Sequence, residues 1–334
     1  MKRKLLGILK YLLFLGLGIF LAWWQFSKMT GQERLQFRDS LRHADYWLLI
    51  PVVIMALLSH ISRAIRWKIL IEPLGYRPST LNAFYCVMTG YLVNTFVPRA
   101  GEIMKCGLLS RYEKIPTNKL IGTILVERAF DLSCYFLLII LTLLIQLKFV
   151  TTFIKKKILD ASASQSLNSG IKAAGIILLC ILLIVLVRWV LKKFAHHRHV
   201  KTVKGFQAGM VEGFKTIRHL KKRRLFLGHT LFIWLMYLMQ IYVGFSALSA
   251  TSGLSIVHAC SVLSLATLGM IVSPGGIGAF PLAVQEVLYI YGIDNISFGW
   301  LMWGVTTSIV VVGGMLSFML LLYKNKTNEA KRAN

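Results

Sequence analysis

The chain has 334 residues, of which 56% are apolar and 16% are charged, and its 39 lysines and arginines against 13 acids give a formal charge of +26. A soluble domain of this length would need a more charged surface, because soluble proteins average about 25% charged residues. A nucleic-acid-binding protein would carry its basic residues on a polar face rather than beside apolar runs. The composition therefore excludes an ordinary soluble enzyme, argues against nucleic acid as a partner and predicts a multi-pass membrane protein with basic loops.

Six apolar runs are each long enough to cross a bilayer as a helix, which takes about 20 residues. They are Leu5–Phe26, Tyr46–Leu70, Leu120–Leu147, Ile171–Leu191, Leu225–Ser249 and Phe298–Tyr323. The first run ends at two tryptophans without a small-residue cleavage site, so it is predicted to be a retained signal anchor. At the end of the second run lie Arg63, Arg66 and Lys68, which are expected to snorkel to the interface.

Two further apolar stretches are each interrupted by proline and glycine. Leu81–Val97 ends at Pro98 within the sequence Pro-Arg-Ala-Gly-Glu, and a second segment, Ile103–Leu109, follows. Ser255–Val272 ends at the sequence Ser-Pro-Gly-Gly-Ile-Gly and is followed by Ala279–Ile290. Such breaks free backbone groups that lipid cannot satisfy, so this backbone must line protein or a wet cavity. Both stretches are predicted to be re-entrant helical hairpins, with two kinked full spans as the alternative.

The distribution of basic residues favours the hairpins. The loop 192–224 has one acid, Glu212, against a large basic set: Lys192, Lys193, Arg198, Lys201, Lys204, Lys215, Arg218, Lys221, Lys222, Arg223 and Arg224. A loop this basic is expected in the cytoplasm, and so is the basic N-terminus. The two lie on the same side of the membrane only if the first broken stretch, which precedes the loop, enters the membrane and returns to the side from which it came. The lysine-rich stretch 148–157 then faces outside, a mild conflict. Both termini are predicted to be cytoplasmic, and the loop is predicted to contain an interfacial amphipathic helix.

The order span, span, broken stretch, span occurs twice, over residues 1–150 and 168–324 of a single polytopic domain that covers 1–334. Pro98 and Pro274 lie 176 residues apart. With the topology above, the two halves form an inverted repeat, which transporters use to build a site near the bilayer midplane. The predicted fold is an all-α integral membrane protein with six full transmembrane helices and two re-entrant helical hairpins. Chance spacing, or a duplicated scaffold that transports nothing, is the alternative.

Charged residues inside membrane segments are costly and are functional candidates by default. They gather at the first break and at the start of the following span: Arg99, Glu102, Lys105, Glu127, Arg128 and Asp131. The planar fork of arginine suits a phosphate group and keeps its charge when partly dehydrated. The carboxylates would balance the cations or hold an amine on a headgroup. The alternative is a set of interfacial ion pairs that fix a hairpin to the neighbouring helix.

The second break carries no charge but is rich in glycine, with Gly275, Gly276 and Gly278. Glycine lets the backbone approach a ligand closely, and a helix that starts near Ala279 would offer free N–H groups to an anion. Glu286 lies further along the same segment. These residues are candidates for substrate binding, with a bare turn as the alternative.

Motifs for catalysis, nucleotides and metals are missing: the chain has no P-loop, HExxH, GxSxG or EF-hand sequence. Its five cysteines are isolated, without a CxxC pair. The chain is therefore not predicted to be an enzyme, and neither a metal nor a cofactor is expected.

Three motifs in this order resemble the lysylphosphatidylglycerol synthase transmembrane region family, also called flippase-like or UPF0104 proteins. They are Pro-Arg-Ala-Gly-Glu at 98–102, Glu-Arg-Ala-Phe-Asp at 127–131 and Pro-Gly-Gly-Ile-Gly-Ala-Phe at 274–280. The likeness extends roughly from Leu5 to Tyr323. Lys105 stands where the family usually has arginine, and Pro281 stands where a glutamate often follows, so Glu286 would have to replace that acid.

The resemblance implies an integral inner-membrane protein of a prokaryote that moves lipids, or lipid-linked sugars, between leaflets. Two-domain relatives add a soluble aminoacyl-transferase, and because this chain stops at Asn334 it is expected to be the stand-alone membrane module. The expected function is translocation of an anionic phospholipid or lipid-linked headgroup, with membrane lipids as partners. Two alternatives are a membrane partner or anchor of a separate lipid-modifying enzyme, and a membrane-embedded transferase for an isoprenoid-linked sugar. For each of these functions, both a monomer and an oligomer stay open.

Overall fold

The computed structural model describes residues 2–146, 218 and 220–333, and every regular element in these ranges is helical. Two predicted features lie outside the described residues: the span Ile171–Leu191 and the amphipathic helix of the basic loop. The chain divides into two units, residues 1–128 with 217–334, and residues 129–216. The first unit contains almost all of the described helices and the candidate site.

Ten α-helices run through the described ranges: α1 Lys2–Lys28, α2 Gly31–Arg42, α3 Leu49–Ile71, α4 Thr80–Phe96, α5 Ala100–Glu113, α6 Thr117–Ile145, α7 Arg223–Phe245, α8 Ile256–Val272, α9 Ala279–Ile290 and α10 Ser297–Ala333. Four helical segments there are long and apolar enough to cross a membrane: Tyr46–Leu74, Thr117–Ile145, Arg223–Phe245 and Ser297–Asn325. They coincide with four of the predicted spans, and α1 covers a fifth predicted run.

The helix α2 is an element that the apolar pattern did not indicate. It begins with a capping box, in which the amide of Glu33 donates to the Thr30 hydroxyl at 3.2 Å and the Thr30 amide donates to the Glu33 carboxylate at 2.6 Å. The backbone and the hydroxyl of Thr30 both lower the pKa of Glu33, because they donate to the ionised carboxylate. None of its residues is buried, so α2 depends on its own cap rather than on a core.

Both predicted helix breaks are confirmed. The first falls between α4 and α5, and the second falls between α8 and α9, around a short 3₁₀ turn at Pro274–Gly276. A Cβ atom on Gly101 of α5 would lie only 1.9 Å from the carbonyl oxygen of Gly90 on α4. Likewise, a Cβ atom on Gly269 of α8 would lie 2.7 Å from the carbonyl oxygen of Ala279 on α9. Each pair of helices therefore forms a tightly packed antiparallel hairpin, here called the first hairpin (residues 80–113) and the second hairpin (residues 256–290).

The long helix α10 runs beside both hairpins and shows that they point in opposite directions. Lys324, near its C-terminal end, donates to Asn82 at the open end of the first hairpin (3.2 Å). The indole Nε1 of Trp303, near its N-terminal end, donates to the carbonyl oxygen of Gly275 in the turn of the second hairpin (2.8 Å). A Cβ on Gly275 would lie 3.0 Å from Thr95 Cγ2 near the end of α4. The hairpins thus meet turn to turn, while their orientation in a bilayer stays a prediction.

The apolar core of the first unit lies between α3, the first hairpin and the start of α6. Its largest member, Trp67 of α3, is fully buried and donates from Nε1 to the hydroxyl of Thr123 on α6 at 2.9 Å. Cys86 of α4, Leu109 of α5 and Leu120 of α6 belong to the same cluster. This packing holds α3, α5 and α6 side by side, which is the arrangement that the candidate site requires.

Candidate functional site

The buried face of α3 is polar in its middle part, between residues 59 and 66. Its buried residues include Ser59, His60, Ser62, Arg63 and Arg66. The two arginines are three residues apart on one side of the helix, and they are only 7% and 0% exposed. The prediction that Arg63 and Arg66 snorkel to the interface is wrong, because both side chains turn inward to the protein.

A single carboxylate of α6 pairs with three cations from two other helices, α3 and α5. Glu127 of α6 is 1% exposed, and its Oε1 accepts from Arg63 Nη1 at 3.2 Å and from Arg66 Nη2 at 3.0 Å. Its Oε2 accepts from Lys105 Nζ of α5 at 3.2 Å, and the same ammonium lies 4.8 Å from the ring centre of Trp67. These four charged residues, Arg63, Arg66, Lys105 and Glu127, are called the buried cluster. Three cations from α3 and α5 therefore converge on one buried carboxylate of α6.

Helix α7 closes the buried cluster from the opposite side. Arg63 Nη2 donates to the hydroxyl of Tyr237 at 3.0 Å, and Arg66 Nη1 donates to the hydroxyl of Thr230 at 3.2 Å. The guanidinium of Arg66 also lies 5.5 Å from the ring centre of Phe226, a distance at which a cation is attracted to an aromatic face. Hydrogen bonds from both arginines to α7, together with this ring contact, thus hold the buried cluster against α7.

A second ion pair lies beside the buried cluster and is more accessible. Arg128, the neighbour of Glu127 on α6, contacts Glu102 of α5 through a short charge-assisted hydrogen bond. The two side chains are 46% and 22% exposed. The structure therefore joins four of the predicted residues in two adjacent pairs, Lys105 with Glu127 and Glu102 with Arg128.

Arg99 occupies the turn of the first hairpin in an unusual conformation. Its φ of 67° is left-handed, which costs a non-glycine residue roughly 1–2 kcal/mol. Its side chain is exposed, and within the described ranges it forms no ion pair. Its charge is therefore open to a ligand. Asp131, by contrast, belongs to the second unit, in which it is half-buried.

The glycines of the second break lie in close contacts with other helices. Gly275, Gly276 and Gly278 all have positive φ, between 59° and 72°. A Cβ on Gly278 would lie 2.4 Å from the carbonyl oxygen of Gly18 on α1, so packing against α1 already requires glycine there. Glu286 is exposed on α9. The role of these residues in binding a substrate stays a prediction.

Sequence reasoning missed Arg63 and Arg66 because they stand near the end of an apolar run. A signal for them exists, since Ser59, Ser62, Arg63 and Arg66 recur at spacings of three and four residues and so share one side of a helix. A polar stripe in a membrane helix has to face protein or water rather than lipid. The stripe therefore points to a polar interior beside α3.

Comparisons with known proteins agree with this architecture. The family profile described as Lysylphosphatidylglycerol synthase TM region matches residues 8–314. A curated relative from Methanocaldococcus jannaschii, named UPF0104 membrane protein MJ1595, is 32% identical over 92 residues, and the match spans 27% of this chain and only 27% of that relative's length. No solved structure matches the chain significantly. The long apolar helices and these matches indicate a multi-pass membrane protein, and the chain belongs to the lysylphosphatidylglycerol synthase TM region family.

Proposed function

We propose that this protein moves an anionic phospholipid or lipid-linked headgroup between the leaflets of a prokaryotic inner membrane. The observation that carries the proposal is the buried cluster itself, in which Arg63, Arg66 and Lys105 converge on Glu127 away from water. Removing charge from water costs several kcal/mol per ion, and charges inside membrane segments commonly mark substrate pathways. A phosphate that passes beside these residues would be attracted by their positive charges.

The accessible residues beside the buried cluster suit the first contact with such a headgroup. Arg99 is exposed in the turn of the first hairpin, and Arg128 is half-exposed on α6. An arginine fork binds two phosphate oxygens at once, so Arg128 would exchange Glu102 for the phosphate. The turn of the second hairpin, at Gly275, lies against the end of α4 and would form the opposite backbone wall.

The carboxylates would set the charge of this path. Glu127 would hold the three cations of the buried cluster together, and Glu102 would balance the charge of Arg128 when no lipid is present. Either Glu102 or Asp131 would also suit the amine of an aminoacylated headgroup. A preference for an amine-bearing lipid in transport would therefore point to these acids.

Transport is measured with purified protein in proteoliposomes that contain a trace of fluorescent phosphatidylglycerol or phosphatidylcholine. A membrane-impermeant quencher reports the label that reaches the outer leaflet, with and without a proton gradient. We expect phosphatidylglycerol to cross faster than in protein-free vesicles and faster than phosphatidylcholine. If no labelled anionic lipid crosses faster than in protein-free vesicles, the transport proposal is wrong.

The role of the first turn is tested by Arg99→Gln against Arg111→Gln. Both arginines are exposed and both belong to the first hairpin, but Arg111 lies near its open end. A hydrogen bond to a charged group is worth about 1.5–3 kcal/mol, so Arg99→Gln should slow phosphatidylglycerol transport about tenfold or more. Arg111→Gln should transport at the rate of the unchanged protein. Equal rates in the two folded variants would remove Arg99 from the pathway.

The proposed topology has both termini in the cytoplasm. The test is a single cysteine introduced by His197→Cys into a cysteine-free protein, since His197 belongs to the basic loop. The thiol should resist an impermeant reagent in intact cells and react after the membrane is opened. Ready labelling of intact cells would invert the orientation.

A second function is favoured by the family description, which names the membrane region of a synthase. In that case the protein would be the membrane partner or anchor of a separate lipid-modifying enzyme. Lipid modification in cells would then tolerate Arg99→Gln but would be lost when the basic loop 192–224 is neutralised. We further propose that the chain itself carries out no covalent chemistry, which turnover of a labelled isoprenoid-linked sugar by the purified protein would contradict.

A further inference from the structure

A cavity of about 370 Å³ opens where α3 ends and α7 begins. One wall is apolar and is formed by Ile65 and Ile69 of α3 together with Leu225 of α7. The rim is basic and carries Lys68, Arg77 and Lys222. Nothing in the proposed transport path uses these residues. The cavity, called the basic pocket below, combines an apolar wall with positive charge at one end.

The basic pocket and the buried cluster lie on different sides of α3. Ile65, Lys68, Ile69 and Glu72 recur at spacings of three, four and seven residues, which is one stripe of a helix. Arg63 and Arg66 follow a different stripe, and Arg66 points to Glu127 and to Thr230 of α7. The two sites are therefore separate, and a ligand in the basic pocket would leave the buried cluster in place.

The rim has more positive charge than its one carboxylate balances. Lys222 Nζ lies 2.9 Å from Glu72, and both side chains are partly exposed, at 54% and 32%. Lys68 donates to the hydroxyl of Thr80 and forms no ion pair with any carboxylate in the part of the chain that the structure describes. Arg77 is exposed, and among the described residues no carboxylate lies within ion-pair distance of it. Its guanidinium is available to an anion.

We propose that the basic pocket binds the phosphate of an anionic phospholipid, with the glycerol and first acyl carbons against the apolar wall. The wall belongs to α3 and α7, two of the helices that are apolar enough to cross a membrane, and the basic rim lies where both helices end. Basic pockets between membrane helices are suited to anionic headgroups at the bilayer surface. Inorganic phosphate shares the charge chemistry, but it would leave the apolar wall unused.

The test compares two double variants that remove the same charge. Arg77→Gln with Lys222→Gln neutralises the rim, whereas Arg223→Gln with Arg224→Gln neutralises adjacent residues that do not line the pocket. Native mass spectrometry of the full chain in detergent, titrated with phosphatidylglycerol, phosphatidylcholine or inorganic phosphate, gives the dissociation constants. Thermal melting of each variant establishes that it is folded.

The tightest phosphatidylglycerol site should weaken about thirtyfold in the rim variant, because that variant loses two basic residues that line the pocket and face the bound phosphate. It should change less than about threefold in the adjacent variant. Equal binding in both variants, or inorganic phosphate binding as tightly as the lipid, would overturn the proposal. Transport by the rim variant in proteoliposomes is a separate readout, so a failure here leaves the transport proposal standing.

Discussion

The two hairpins have the same construction but opposite chemistry. In each, a 17-residue helix ends at a proline-containing break and a shorter helix returns along it. The first hairpin carries Arg99, Glu102 and Lys105 at and just after its break, whereas the turn of the second has three glycines and no charge. The second hairpin thus shows that the shape needs only a break and close backbone packing. The charges of the first hairpin are not required to form a hairpin, which is why they are candidates for function.

The largest expected effect comes from removing the shared carboxylate beside the first hairpin. Glu127→Gln removes the carboxylate that three buried cations contact, and breaking a buried ion pair in this way costs about 3–5 kcal/mol. The free energy of unfolding, measured by denaturant titration in detergent, should fall by that amount. The matched change in the second hairpin, Glu286→Gln, affects an exposed acid and should stay within about 0.5 kcal/mol.

The same titration with Glu127→Gln and Lys105→Met together sharpens the result. Removing one cation along with the carboxylate leaves less buried positive charge than removing the carboxylate alone, so the double variant should be more stable than Glu127→Gln. A double variant that loses the full sum of the two single changes would contradict a shared network.

The next effect concerns the packing that both hairpins share. Gly101→Ala would place a Cβ 1.9 Å from the carbonyl oxygen of Gly90, so α4 and α5 would have to separate, at a cost of about 1–3 kcal/mol or more. Gly107→Ala on the same helix meets no atom within 4 Å and should stabilise the helix by up to about 1 kcal/mol. The melting temperatures of the two variants should therefore shift in opposite directions relative to the unchanged protein. Equal shifts would mean that Gly101 and Gly90 are not in close contact.

A smaller effect is expected where α10 holds the turn of the second hairpin. Trp303→Phe removes the hydrogen bond from the indole to the carbonyl oxygen of Gly275, which is worth about 0.5–1.5 kcal/mol. Hydrogen exchange of the amides in the turn should become faster. Trp23→Phe serves as the control, because Trp23 is 63% exposed and its replacement should leave that exchange unchanged.

The smallest effect lies outside both hairpins, in the cap of α2. The pKa of Glu33 is lower in the folded chain than in the unfolded one, so its capping contribution is present at neutral pH and is lost as the pH falls through the folded value. Hydrogen exchange of the Glu33 backbone amide is the measurement, and its protection factor corrects for the intrinsic pH dependence of exchange. This protection factor should fall in acid. Thr30→Ala removes the hydroxyl that the Glu33 amide uses and should weaken this pH dependence. An unchanged pH dependence in Thr30→Ala would contradict the cap.

The hairpins could be predicted because their signal is local. Proline and glycine interrupt an apolar run in a way that the sequence shows directly, and the structure breaks the helices at Pro98 and Pro274. The contact between Thr95 and Gly275 could not be predicted, because it depends on how separate helices pack. Helix α2 went unnoticed because apolar periodicity does not report a polar helix, although the pair Thr30 and Glu33 has capping-box spacing.

The candidate site was predicted in part, for the same physical reason. Lys105 and Glu127 stand out as charges in apolar surroundings, and they do pair. Arg63 was assigned to the interface because it stands near a helix end, where a long cationic side chain can reach water without cost. Only the packing of α6 against α3 shows that Arg63 pairs with the buried carboxylate of Glu127. Local chemistry identifies candidate charges, whereas their pairing depends on packing between distant segments.

The most direct test of the central claim, that the buried cations beside the first hairpin favour an anionic headgroup, is the charge selectivity of transport. The quantity is the ratio of the initial rates for phosphatidylglycerol and phosphatidylcholine in the same proteoliposomes, for the unchanged protein and for Lys105→Met. The claim predicts that the ratio exceeds one and falls severalfold in Lys105→Met, because one of three cations around Glu127 is gone. An unchanged ratio in a folded Lys105→Met protein would contradict it.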